Sequence, residues 1–170
     1  VWADKLVHTT LSRGWREVGA VESLKIEIQR LENYPVDWPL PEYATPGSAG
    51  VDLRNAGPTV VIPPLGRVLI PTGIAIAIPP GMEAQVRPRS GLALHRGIGM
   101  PNAPGTIDYD YRGEIRVPLI NFDRESQEIL AGERIAQLLI SHLIRIEWEE
   151  VDTLPPSERG GEGFGSTGRS

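Results

Sequence analysis

The sequence predicts an all-β fold, a sandwich, jelly roll or barrel carrying one short helix, and three features of it support that class. Apolar side chains recur at every second position over several stretches, the pattern of strands with one buried face. Gly- and Pro-rich pieces lie between those stretches, within a total of 19 Gly and 16 Pro, as turns between regularly spaced strands require. Only one segment, "SGLALHRG" from Ser90, looks able to make a helical turn or two.

The first alternating run, "LKIEIQRL" over residues 24–31, puts Leu24, Ile26 and Ile28 on one face and Lys25, Glu27 and Gln29 on the other. Further strand-like pieces follow: "TVVI" from Thr59, "RVLIPTGIAIAI" from Arg67, "MEAQVRP" from Met82, "EIRVPLIN" from Glu114 and "QLLISHLIRIEWEE" from Gln137. The punctuators "PPLG", "PPG", "PNAPG" and "AGE" separate them. Ser90 is placed to cap the short helix. The same helix start, with Arg89 beside it, is also suited to a phosphate group.

A chain of 170 residues fits one well-buried domain, and 40% hydrophobic with 23% charged residues is the balance of an ordinary globular protein. A net charge of -5 argues against stable binding of nucleic acid by phosphate neutralisation. The absence of cysteine excludes disulfides, thiolate metal sites and Cys nucleophiles, and fits a reducing compartment. His8, His95 and His142 show no metal-ligand spacing, so any metal is expected to be held by oxygen. No apolar run reaches the roughly 18 residues of a membrane span, so no membrane association is expected. Residues 1–23 lack a secretory signal and read as an N-terminal extension of unknown role; a basic transit peptide is the alternative, and a cytoplasmic location is expected.

Five connecting segments are richer in functional residue types than connectors need to be. They are "GSAGVDLRN" (47–55), "RPRSGLA" (87–93), "NAPGTIDYDYRGE" (102–114), "GERIAQL" (132–138) and the terminal "RGGEGFGSTG" (159–168). Arg87, Arg89, Arg112 and Arg159 lie in them among Ser, Thr, Gly and Asp, a local charge reversal suited to a small polyanion. Asp108 and Asp110 form a paired-carboxylate signal; on a regular strand both would face one way, with Ile107, Tyr109 and Tyr111 on the other side. Such a pair is either a solvated charged turn or, beside aromatic rings, a site for a general base. Asp52 either holds a turn or lies near a magnesium ion. Gly163, Gly165 and Gly168 spell a G-x-G-x-x-G, but no helix can follow with two residues remaining, so it is not a dinucleotide fingerprint. A Walker loop is excluded by the missing Lys. Composition alone would let this tail fray.

Taken in order, "AGVDL", "PRSGLA", "GTIDYDYRGE", "GERIAQL" and "RGGEGFGSTG" resemble the five motifs of the trimeric dUTPase family, the deoxyuridine triphosphate nucleotidohydrolases, from about residue 24 to the end. The resemblance implies a jelly-roll-like β-clip subunit with one short helix, assembled as a homotrimer whose sites lie between subunits. It divides the chain into the extension, a β domain over 24–153 and a flexible Gly-rich lid over 154–170. The implied activity is magnesium-dependent hydrolysis of dUTP to dUMP and pyrophosphate, by in-line attack of an Asp-activated water on the α-phosphate. Such an enzyme limits uracil incorporation into DNA and supplies dUMP for dTMP synthesis.

By the same resemblance, Asp108 is the general base, Asp110 a less constrained neighbour, and Tyr109 occupies a variable position. Tyr111 packs under the deoxyribose and leaves no space for a 2′-OH. Asn102 and the backbone from Gly105 through Thr106 and Ile107 to Tyr111 read the uracil edge. Arg89, Ser90, Gly91 and Gln137 contact phosphates, and Asp52 orients water on Mg2+. In the tail, Arg159 reaches the γ-phosphate, Phe164 stacks over uracil, and Gly165, Ser166 and Thr167 close on the phosphates. A dCTP deaminase of the same fold is the nearest alternative, and it typically lacks the Gly-rich tail. A catalytically inactive nucleotide-binding regulator is the other; retention of Asp108 argues against it.

Overall fold

The structure, a computed structural model, describes residues 23–161; expectations that fall on residues 1–22 and 162–170 lie outside it. Eleven strands and one helix are described: β1 (Glu27–Arg30), β2 (Val51–Arg54), β3 (Val60–Ile62), β4 (Arg67–Pro71), β5 (Ile74–Ala77), β6 (Met82–Pro88), α1 (Ser90–Arg96), β7 (Ile98–Gly99), β8 (Gly105–Ile107), β9 (Arg116–Asn121), β10 (Gln127–Ile129) and β11 (Arg134–His142). They form four antiparallel sheets of order β1-β5, β10-β3, β2-β11-β6-β8 and β4-β9-β7. The mostly β class with one short helix is the one the alternation predicts. Among the described residues no helix is long and apolar enough to cross a membrane.

The alternation does its work most clearly on β11. Ala136 and Leu138 point into the core, while Gln137 between them does not. A register irregularity between Arg134 and Ala136 re-aims the strand there, which accounts for Ile135 and Ala136 both being buried in succession. Branched aliphatics from every sheet, among them Leu53, Ile62, Ile70, Ile74, Val117, Leu119 and Ile129, complete a single core. The buried polar side chains are tied down rather than orphaned: Asn121 Nδ2 donates to the Ile62 and Glu125 carbonyls at 2.9 and 2.8 Å, and Thr72 Oγ1 donates to the Ile115 carbonyl at 2.6 Å.

Several local expectations change. The long run from Arg67 is two strands in two sheets, broken at Thr72–Gly73, where Gly73 takes φ +69°. A β-carbon there would stand 3.0 Å from the Tyr34 backbone, so both conformation and space demand glycine. The segments around Asp52 and Gly105, read as turns, contain β2 and β8, because pairing to longer neighbours imposes extended backbone on short polar runs. The run from Gln137 pairs only to His142; beyond it Ile144 and Trp148 are 88% and 89% exposed, with no described strand edge to receive them. Ser90 is not the cap: Arg89 holds the N-cap position without a side-chain cap bond, and Ser90 is the first helical residue. The helix ends at Gly97, φ +58°, whose N–H donates to the Leu92 carbonyl.

The Gly73 bend is held by Glu114, just before β9. Its Oε1 accepts from the Gly73 N–H and from Asn33 Nδ2, both at 2.9 Å, and its Oε2 accepts from Arg116 Nε at 2.7 Å. Burial pushes this carboxyl up, but the bonds from Asn33, Arg116 and Gly73, with the Arg116 charge, outweigh it and hold the group below its ordinary 4.5. A depressed folded pKa contributes stability that is present above the unfolded pKa and lost as pH falls through the folded one. Wild type should therefore exceed Glu114→Gln in chemical-denaturation stability by a constant margin near neutral pH, and that margin should shrink as pH falls through and below the ordinary carboxylate range. A margin independent of pH would show that the charge on Glu114 contributes nothing.

Candidate active site

The four-stranded sheet sorts its residues by face. Register sets Asp52 of β2 opposite Gln137 of β11, and Gln137 opposite Arg87 of β6, so the three stand abreast on one face. Their neighbours Leu53, Leu138 and Val86 fill the core from the other face. Arg89, just beyond β6, brings Nε to 3.2 Å from Asp52 Oδ1, and Arg134 brings Nη1 to 3.1 Å from Oδ2. Arg89 Nη1 also donates to the Arg134 carbonyl at 3.2 Å. Asp52 is thus pinned between two guanidinium groups with little exposure. Its Oδ1 is buried and, despite the close Arg89 charge, receives no aligned hydrogen bond, leaving a lone pair to be filled. Ser90 and Gly91 open α1 at the surface beside this row. The cluster is a cationic ledge with one fixed carboxylate, suited to phosphate oxygens.

A second feature lies at the other edge of the same sheet. A cleft of about 620 Å³ is floored by Val86, Met100, Ile107 and Ile115 and walled by Asn102, Gly105, Thr106, Asp108 and Tyr111. The Ala103–Pro104 peptide is cis and lies in the turn that leads into β8. A β-carbon on Gly105 would come within 3.2 Å of Asn102 Nδ2 and 3.6 Å of Val86, so glycine preserves the narrow space between them. β8 ends at Ile107, and residues 108–113 turn, with the Tyr111 N–H donating to the Asp108 carbonyl at 3.1 Å and Arg112 Nη1 to the Tyr109 and Tyr111 carbonyls at 2.7 and 2.9 Å. The segment is thus a turn rather than a regular strand, so Asp108 and Asp110 do not share a strand face. Asp108 stands in the cleft wall and Asp110 is exposed on the turn. Tyr109 packs on the core beneath the Arg145 guanidinium, 5.9 Å from its ring centre, while Tyr111 faces the cleft.

Most of the expected site residues thus assemble, but into two groups. Asn102, Gly105, Thr106, Ile107, Asp108 and Tyr111 share the cleft, and Asp52, Arg89 and Gln137 share the ledge; the cleft lining includes none of Asp52, Arg89, Ser90, Gly91 or Gln137. Arg159 lies on an exposed turn and is not in the cleft lining. Phe164, Gly165, Ser166 and Thr167 lie outside the described residues. Two residues passed over in the sequence belong here: Arg134, which shares Asp52, and Glu114, which lines the cleft. Both sit inside motif segments, and an Arg in an acidic chain was the available signal for the first.

A family model described as dUTPase matches residues 36–168. The chain is 52% identical over 149 residues to the deoxyuridine 5′-triphosphate nucleotidohydrolase of Wolbachia sp. subsp. Brugia malayi, covering 86% of this chain and 95% of that one. It is 54% identical over 145 residues to the protein of the same name from Rickettsia canadensis, covering 85% and 97%. The solved dUTPase of Staphylococcus bacteriophage 80alpha with dUpNHpp matches with a TM-score of 0.73 at 27% identity, covering 86% of this chain and all of that one. Between a dUTPase and a dCTP deaminase of similar fold, the family match decides for the former.

Proposed function

The chain belongs to the dUTPase family and is a dUTP diphosphatase, and on that footing we propose that the cleft beside β8 receives uracil and deoxyribose while the Asp52–Arg89–Gln137 ledge receives the triphosphate. The observation that carries the reading is the Asp108 carboxylate in the wall of a cleft that also holds Asn102 and Gly105, where the other lining carboxylate, Glu114, is taken up by Gly73, Asn33 and Arg116. Asn102 and the backbone around Gly105 pair with the uracil edge, and the space that Gly105 preserves is too narrow for a thymine methyl. The Tyr111 ring lies under the deoxyribose.

In this reading Asp108 takes a proton from the attacking water, which adds in line to the α-phosphorus as the bond to the β-phosphate oxygen breaks and pyrophosphate leaves. Arg89, Ser90, Gly91 and Gln137 hold the triphosphate and stabilise its growing charge, so positioning and electrostatics supply most of the rate. When bound with substrate, Mg2+ supplies further neutralisation of the leaving pyrophosphate. Asp52 is the residue that would help hold such an ion, through water: its Oδ1 is buried and lacks an aligned donor.

The proposed assembly is a homotrimer with shared sites. Two observations support it: cleft and ledge are separate groups within one chain, and residues 143–154 expose Ile144, Ile146, Trp148 and Leu154 in a strand-like alternation without a partner strand among the described residues. A neighbouring subunit would cover them. Residues 154–170 act as a lid, with Arg159 on the γ-phosphate, Phe164 over uracil, and Gly165, Ser166 and Thr167 on the phosphates. The product dUMP is a precursor for dTMP, and removal of dUTP limits uracil in DNA.

Asp108→Asn should lower kcat for pyrophosphate release from dUTP by about 10²-fold or more, with little change in substrate binding. Full activity in the variant would remove Asp108 from the role of base. Truncation after Pro156 should abolish turnover while leaving the trimer intact by light scattering; dissociation on truncation would make the tail a structural element instead.

A further inference from the structure

Glu114 lines the proposed nucleoside cleft, yet its carboxylate is already committed to the chain on three sides, through Gly73, Asn33 and Arg116. We propose that Glu114 is the positioning residue for Tyr111, setting how close that ring stands to the sugar and so how strongly the enzyme prefers a deoxyribonucleotide to a ribonucleotide. The proposal rests on the reading of Tyr111 given above.

The link is a closed loop of four residues. Tyr111 Oη donates to the Glu114 carbonyl at 3.0 Å, and the side chain folds back over Gly113, where a β-carbon would lie 2.4 Å from the hydroxyl oxygen. Only a glycine lets the ring take this path. Tyr111 is 46% exposed, so core packing does not fix it, and the hydroxyl bond sets its far end. Glu114 in turn is anchored on several sides. Its carboxylate joins it to the β4–β5 bend, to the segment after β1 and to β9, while the adjoining Ile115 N–H donates to the Ile74 carbonyl at 2.9 Å. A half-exposed ring on a surface turn is thereby referenced to the core through one carbonyl oxygen. Exclusion of a 2′-OH is a steric test decided over about 1 Å, and a misplacement of that size in a positioning group costs about 10²-fold. Loosening residue 114 should therefore relax sugar selection more than it slows the chemistry at Asp108.

The test compares kcat and KM for dUTP and UTP in the full chain with Mg2+, for wild type, Glu114→Gln, Tyr111→Phe and Tyr111→Ala. The ratio of kcat/KM between the two substrates is taken on one preparation, so any loss of folded protein cancels. Glu114→Gln should lower the dUTP-over-UTP preference by about tenfold or more, with a higher KM for dUTP. Tyr111→Phe, which keeps the ring and removes only its bond to Glu114, should move the ratio the same way even if Glu114→Gln folds poorly. A merely structural Glu114 would lower kcat for both substrates in proportion and leave both KM values unchanged. If Tyr111→Ala collapses the preference while Glu114→Gln and Tyr111→Phe retain it, the proposal is overturned and the reading of Tyr111 stands. If all three retain it, Tyr111 is not the sugar-selecting group and both fail.

Discussion

The register of β11 between β2 and β6 is the constraint on which the rest of the structure depends. With side chains alternating across the strand, the pairing that sends Ala136 and Leu138 into the core necessarily lifts Gln137 to the other face, between Asp52 and Arg87. A slip of one residue would bury Gln137 and expose the core aliphatics. The hydrophobic cost of that slip is several side chains at about 1.5–3 kcal/mol each, so the polar row is positioned by the core behind it rather than by its own interactions. The same strand carries Arg134 to Asp52, and the same sheet ends in β8, whose last residue precedes Asp108. Packing and chemistry are two faces of one sheet.

Around that frame, charge is placed sparingly. Asp52 sits between Arg89 and Arg134, a carboxylate held ready with one oxygen still lacking an aligned donor. Glu114 has its oxygens filled by the protein and acts as a fixed post. Asp108 stands in the wall of the cleft, on a turn held by main-chain and Arg112 bonds. Three acidic residues of similar intrinsic chemistry therefore take different parts according to which donors the backbone brings to them.

How far the sequence disclosed this follows from range. Alternation in "MEAQVRP" and "QLLISH" gave β6 and most of β11 because each carries its own buried face. The segment "GSAGVDLRN" gave no such signal. β2 exists because β11 supplies its ladder, a contact made across about eighty residues. Ser90 looked like a cap because its residue type suits one, whereas the chain enters the helix one residue earlier, at Arg89. The alternating tail of "LIRIEWEE" has a strand's sequence without a strand's partner among the described residues. Among the residues expected from family likeness, Asn102, Gly105, Thr106, Ile107, Asp108 and Tyr111 fall together in the cleft and Asp52, Arg89 and Gln137 on the ledge. Glu114 and Arg134 were not singled out, since their partners Gly73, Asn33 and Asp52 are brought to them only by the fold.

In the proposed trimer, cleft and ledge, separate within one chain, complete each other across a subunit boundary. Complementation tests it most directly. Asp108→Asn disables the cleft, and Arg89→Ala disables the ledge; each alone should be inactive toward dUTP. Unfolded together in equal amounts and reassembled at random, they should recover about a quarter of wild-type activity, because each shared site draws its two halves independently from the pool. No recovery above the separate variants, with mixed trimers demonstrated, would contradict the account and place the whole site within a single chain.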